Sequence, residues 1–227
     1  TDVLGCSLPF ISAFTNPEDP SWPCFSNIFG YGADVRLPDD IFEFRQESSL
    51  PTTEYPTSEN YLCSFNFSVL GMALLPVFGD GLLAGRQMGA HLAIINHVDA
   101  QRIGGLVFNY GFVEAAGAMR RSYYAVVLNR NTAEVQLLKF NGVSLVLIHA
   151  TAAAVPFSPS RFYTLAVTFT ADGPNMIVDV TVGDLLAPGD WPVVHFQLPL
   201  SGDFSFPGQF GLLSDHSNVA FRVFEMT

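Results

Sequence analysis

Several residue types in this 227-residue chain could do acid–base or nucleophilic work, and their spacing decides against most of them. Ser214, Asp215 and His216 place the letters of a hydrolase triad side by side. Adjacent residues on a strand point to opposite faces, so that register cannot build a relay. His97 and Asp99 are two apart and share a face of an extended segment, as a metal or acid–base pair would; a hydrogen bond within a loop explains the same spacing. The remaining histidines, His91, His149 and His195, are scattered. Retaining glycoside hydrolysis needs two carboxylates roughly 5 Å apart. Glu43 and Glu47 come nearest to such a pair, yet on a strand they lie roughly 13 Å apart at ~3.3 Å per residue. No catalytic constellation results.

Calcium takes several oxygen ligands from loops, and acidic loop residues are plentiful: Asp80, Asp99, Asp172, Asp184, Asp190 and Asp215. Asp99 and Asp184 are the weak calcium candidates, calcium being the one cofactor to expect if any; capping of turns and a soluble surface account for the same residues. Cys6 and Cys24 bracket a Pro-rich segment and are the expected disulfide pair, with Cys63, in the strand-like YLCSFNFSVL, a buried free thiol. Their spacing matches no zinc motif. Asn66-Phe67-Ser68 fits the glycosylation acceptor pattern, provided Asn66 faces solvent. Together with the disulfide it points to the secretory route, and so to an extracellular or cell- or particle-surface location. The start at Thr1, without Met or leader, fits a mature product or a trimmed chain.

The formal charge of −11, with Lys139 as the single lysine, leaves no basic stripe to neutralise phosphates, so nucleic acid and anionic membrane are poor partners. Apolar runs are interrupted well before the ~20 residues of a transmembrane helix, and no transmembrane segment is expected. An apolar fraction of 49% with 21 Phe and 7 Tyr supplies an aromatic core for two packed sheets.

The elements that must position these residues read as strands. Residues 1 to 56 carry Pro9, Pro17, Pro20, Pro23, Pro38, Pro51 and Pro56, which break every apolar run; this is an extended arm with short strands, packed on the body and able to reach a neighbouring subunit. From Ser58 onward short strand patterns recur at about 60–70, 90–96, 104–110, 122–129, 133–140, 143–149, 161–170, 175–183, 192–198, 208–214 and 218–226. Tyr163, Leu165, Val167 and Phe169 take one face and Thr164, Thr168 and Thr170 the other. After the Asp172-Gly173-Pro174-Asn175 turn, Val178, Val180 and Val182 point inward and Asp179 and Thr181 outward. Asn129-Arg130-Asn131-Thr132 and Asn141-Gly142 are further turns. Val113 to Met119, Ala-rich and containing Gly, reads as a loop or a single turn. The whole, 1–227, is expected to be a single all-β domain, a two-sheet antiparallel jelly-roll sandwich with an N-terminal arm.

The order of signatures, a strand near Tyr61 to Leu70, then GGLVFNYG, YYAVVLNRNTAEVQLLKFNG, RFYTLAVTFTADGPNMIVDVTVGD and FPGQFGLLSDHSNVAFRVFEM, resembles the laminin-G-like members of the concanavalin A-like lectin and glucanase superfamily over about residues 58–227. The resemblance implies one convex and one concave sheet, with ligand sites on the concave face or the loop rim, and binding of glycans or proteins, in some members with calcium. The glucanase motif Glu-x-Asp-x-x-Glu is missing, and Arg222 follows Phe221 where many relatives place an Asp. Tyr110, Tyr123, Tyr124 and Trp191, with Arg102, Asn109, Arg120 and Arg121, are the aromatic and polar side chains nearest the implied concave sheet and rim; buried core is the competing reading for each tyrosine. Two functions follow from this: a non-catalytic extracellular module that binds carbohydrate or acts in adhesion, or a structural subunit of a surface assembly that uses the arm for self-assembly. A glycoside-processing enzyme is the lesser third.

Overall fold

The computed structural model describes residues 10–13, 26–29, 44–47, 61–64, 70–75, 83–97, 103–115, 117–159, 161–187, 189, 191–199, 208–215 and 217–227. Among them are fifteen strands and no helix: β1 (Phe10–Ala13), β2 (Ser26–Phe29), β3 (Phe44–Glu47), β4 (Tyr61–Ser64), β5 (Leu70–Leu74), β6 (Gln87–His97), β7 (Ile103–Ala115), β8 (Ala118–Asn129), β9 (Glu134–Phe140), β10 (Leu145–Ala152), β11 (Tyr163–Asp172), β12 (Asn175–Asp184), β13 (Val194–Pro199), β14 (Gln209–Asp215) and β15 (Ser217–Met226). They form two antiparallel sheets. The eight-stranded sheet runs β13-β12-β11-β6-β15-β4-β3 with β1 beside β15, and the seven-stranded sheet runs β10-β9-β8-β7-β14-β5-β2. The all-β sandwich expected from the sequence is therefore the fold. Cys6, Cys24 and Asn66 lie outside the described residues, as does most of the Pro-rich segment apart from β1, β2 and β3.

Period-two alternation drives the pairing. Along β11 the residues Tyr163, Leu165, Val167 and Phe169 are buried, and along β12 Met176, Val178, Val180 and Val182 are, so the hairpin closes with its apolar sides matched. Its two-residue turn, Gly173-Pro174, has Gly173 at φ +56°, the sign such a tight connection needs at its first position. At the β8–β9 turn Asn129 Oδ1 accepts the N–H groups of Asn131 (3.0 Å) and Thr132 (3.2 Å), and Asn141 Oδ1 does the same for Val143 and Ser144 (both 3.0 Å) between β9 and β10. Arg130 leaves the first of these turns and donates to the carbonyls of Ile94 and Ile95 at 3.1 and 3.0 Å, tying one sheet to the other.

Between the sheets lies the main core, in which Leu92, Leu106, Val126, Val180, Leu212 and Phe221 are among the buried side chains and Phe108 meets Phe169 edge-on at 4.9 Å. The seven-stranded sheet also buries its other face: Val107, Tyr110, Tyr123, Ala125, Val127, Leu138, Phe140 and Leu213 form a second apolar cluster there.

Two expectations are corrected. The segment read as one strand over 60–70 is divided, with β4 in the eight-stranded sheet and β5 in the seven-stranded one, because a strand-like pattern does not mark where a chain changes sheets. Val113 to Met119 is no loop. The β7–β8 hairpin pairs Glu114 with Met119 and Ala115 with Ala118, and Gly117 at φ +75° lies at its tip; cross-strand pairing overrides the weak strand propensity of Ala and Gly.

Candidate functional site

The sequence-selected aromatic and polar residues fall into three separate environments. Tyr110 and Tyr123 lie on the outer face of the seven-stranded sheet. A bulge puts Tyr110 there: β7 pairs with β8 regularly through Phe108, then sets Asn109 and Tyr110 against Tyr123 before resuming at Gly111, and Asn109 takes φ +52°. One extra residue turns the next side chain to the opposite face. Gly208 is required beside it, since a Cβ there would stand 2.5 Å from the Asn109 Cα. Tyr110 stacks on Tyr123 at 6.1 Å, and Tyr123 on Phe140 at 5.4 Å. Only 2% of Tyr110 and 1% of Tyr123 is exposed, so neither ring offers a face to a sugar. Both hydroxyls are buried without a hydrogen bond. Burial is the main cause that pushes both phenols above the ordinary tyrosine range; at Tyr123 the Asp215 carboxylate and Tyr110 add to it, while Arg121 opposes it at both.

Tyr124, one residue on, points into the main core, stacked on Phe108 at 5.7 Å with the Lys139 Nζ 5.0 Å from its ring centre. Arg120 and Arg121 are half-buried on the hairpin arm beside Phe112, which is 62% exposed and which the sequence reading did not single out. Arg102 and Asp99 lie outside the described residues, and so do Glu43 and His216. Ser214 belongs to a corner: its Oγ donates to the Ser217 carbonyl (2.7 Å), and the Ser217 Oγ accepts the Ile103 N–H (3.0 Å) and donates to the Asp215 carbonyl (3.0 Å).

Trp191 stands apart from the tyrosines, on the eight-stranded sheet. Its indole is half-buried, stacked over Phe157 at 6.4 Å and edge-on to Tyr163 at 6.2 Å. Tyr163 is held in turn by the Ser158 N–H, which donates to its hydroxyl at 2.7 Å. Beside the indole is a groove of about 380 Å³, lined also by Thr164, Thr181, Gly183, Asp184 and Gly189. Two of these residues are glycines. A Cβ on Gly183 would stand 2.8 Å from the Thr164 Oγ1, and a Cβ on Gly189 would point into empty space.

Asp184, a calcium candidate from the sequence, already holds three donors. Arg161 Nη1 donates to Oδ2 at 2.6 Å, and the N–H groups of Leu186 and Ala187 donate to Oδ1 at 2.8 and 3.3 Å. Burial works to raise its pKa, and the Arg161 hydrogen bond, the two backbone donors and the Arg161 charge together outweigh it, so the carboxyl titrates below its ordinary range. The pair fixes the turn that frames the groove. Among the described residues no three His, Cys, Asp or Glu side chains gather to hold a metal ion.

The polar surface continues from the groove across the outer side of the sheet. Asp179 and His195 face each other in the β12–β13 register, with Nδ1 and Oδ1 2.6 Å apart and both groups reachable by water. The sequence reading missed this couple. The outward position of Asp179 was legible, but the His195 partner needed the register of β13. A smaller groove of about 240 Å³ lies nearby, lined by Gln87, Thr168 and Glu225 among others. The arrangement can hydrogen-bond and stack. The Asp179–His195 couple supplies a proton donor or acceptor on open surface, where water competes for every contact.

No protein-family model matches the sequence, and no curated protein is similar to it in sequence. Solved structures resemble it in fold. A carbohydrate-binding module from Bacillus subtilis superposes with a TM-score of 0.52 at 16% identity, covering 88% of this chain and 92% of that one. A galectin from Caenorhabditis elegans gives 0.43 at 12%, covering 84% and 99%, and a lectin from Bauhinia forficata in complex with GalNAc gives 0.45 at 11%, covering 89% and 98%. The chain shares the two-sheet antiparallel sandwich fold of the carbohydrate-binding module.

Proposed function

We propose that this chain is a non-catalytic carbohydrate-recognition domain of the laminin-G-like kind, whose sugar site is the Trp191 groove. The observation that carries this reading is the juxtaposition of an indole, locked on one side by Phe157 and Tyr163, with the hydroxyls of Thr164 and Thr181 in an open groove. A sugar ring offers an apolar face to an aromatic and hydroxyls to polar neighbours, and this site supplies both. The net charge of −11 favours neutral glycans over sulfated or uronic ones. The fold shared with the Bacillus subtilis carbohydrate-binding module supports the same reading. A secreted or surface setting accords with it.

The test is titration calorimetry of the full chain against neutral and acidic oligosaccharides, with calcium and with chelator. Binding of at least one neutral glycan is expected, weakened about tenfold or more by Trp191→Ala. Failure of every neutral glycan, or binding indifferent to Trp191→Ala, overturns the assignment.

A further inference from the structure

We propose that the β10 edge of the seven-stranded sheet is a self-association surface, on which a second copy of this chain lays its own β10 antiparallel across a two-fold axis. β10 and β13 are the sheet edges on one side of the sandwich, joined where the His149 ring stands edge-on to Phe196 at 5.2 Å. They are finished differently. β13 lies between Pro192 and Pro199 and alternates buried Val194, Phe196 and Leu198 with exposed His195 and Gln197, the usual protection of an edge. β10 exposes Val146, Leu147 and Ile148 at 39%, 52% and 41%, with Val143 before it at 64%. The one protective device β10 carries is a bulge against β9 between Leu147 and His149; no residue from 141 to 160 carries a formal charge. Among the described residues β10 has a partner strand on one side only, and an apolar edge of this kind accepts another strand.

Two features select a second copy as that strand. The first half of β10, Leu145-Val146-Leu147-Ile148, is bulky and the second half, His149-Ala150-Thr151-Ala152, is mostly small. Full antiparallel overlap of two copies sets Val146 opposite Thr151, Leu147 opposite Ala150 and Ile148 opposite His149, so the bulky half of each meets the smaller half of the other. A two-fold interface requires that self-complementarity. Two chains of net charge −11 also repel each other, and an uncharged edge is where they approach at least cost. An edge pair is smaller than a standard interface of about 1,200–2,000 Å², so the dimer is expected in the micromolar range.

Sedimentation equilibrium of the full chain between about 1 and 500 μM tests this. A monomer–dimer equilibrium is expected, weakened at least about tenfold in Leu147→Lys and in Ile148→Lys, and unchanged in Gln197→Lys, which adds the same charge to the β13 edge. Amide exchange of residues 145–152 in the unmodified chain is expected to slow as concentration rises, a readout that needs no variant to fold. A chain that stays monomeric, a dimer indifferent to both β10 substitutions, or exchange in β10 independent of concentration overturns the proposal.

Discussion

The outer faces of the two sheets obey the same alternation and end in opposite environments. On the eight-stranded sheet the outward residues of β11, β12 and β13 are mostly polar, Thr164, Thr168, Thr170, Asp179, Thr181, His195 and Gln197 with Ala166 and Ile177 among them, and only further in, on β6 and β15, are Ala93, Ile95 and Ala220 buried with Phe162 on that face. On the seven-stranded sheet β8 is buried without a break from Ser122 to Asn129, so Tyr123, Ala125 and Val127 are covered as thoroughly as Tyr124, Val126 and Leu128 on the other side. A strand apolar on both sides is the mark of a layer enclosed on both sides. Among the described residues, the polar face with its Trp191 groove is open to water.

Matched truncations on the two faces should break this contrast if it is wrong. Phe140→Ala, on the covered face, is expected to cost about 3–5 kcal/mol in urea unfolding, and Thr170→Ala, on the open one, less than about 1 kcal/mol. Equal costs would mean that the first face is not enclosed.

The hydroxyls of Tyr110 and Tyr123 sharpen the contrast, because enclosure leaves them without hydrogen bonds. Tyr123→Phe should therefore be neutral or stabilise by about 1 kcal/mol, whereas a loss of more than that would reveal a partner for the hydroxyl. Both phenols are shifted upward in the folded chain, so the unfolded chain releases its protons first. Stability is then lost as pH climbs past the ordinary tyrosine value of about 10, and the double change of Tyr110 and Tyr123 to Phe should reduce that loss in melts between about pH 9 and 11.

The smallest effect belongs to the open face. Burial, then the Arg222 charge, hold the His91 pKa below its ordinary value, against Glu225, so the unfolded chain binds the proton more readily. Its contribution is complete above about pH 6.5 and is lost as pH falls below it. His91→Gln should flatten the acid limb of a melting-temperature profile. An unchanged limb would assign that limb to other groups.

The sequence marked the hairpins well where polarity alternates cleanly, as in β11 and β12, because one wet face leaves a period-two signature. It marked β8 as a strand and left its tyrosines between ligand contact and buried core; the Tyr-Tyr-Ala-Val-Val-Leu run signals burial on both sides, and both rings are buried. Trp191 was legible as a candidate, but its groove was not, because Thr164, Thr181 and Gly183 come from two strands and meet only through the Thr164–Gly183 register. Asp184 read either as a calcium ligand or as a turn cap because its type and loop position suit both, and its Arg161 and backbone donors are set by folding of the turn.

A single residue separates Asp215, in a strand held between β5 and β7, from Ser217, in a strand held between β6 and β4. The closing strands thus supply the middle of both layers and not their margins. During synthesis β6 and β7 must therefore wait, each lacking a neighbour, until β14 and β15 have emerged. A chain cut before Gln209 would be left with two unpaired central strands, and translation speed through β14 and β15 should govern how much of the protein is recovered in soluble form.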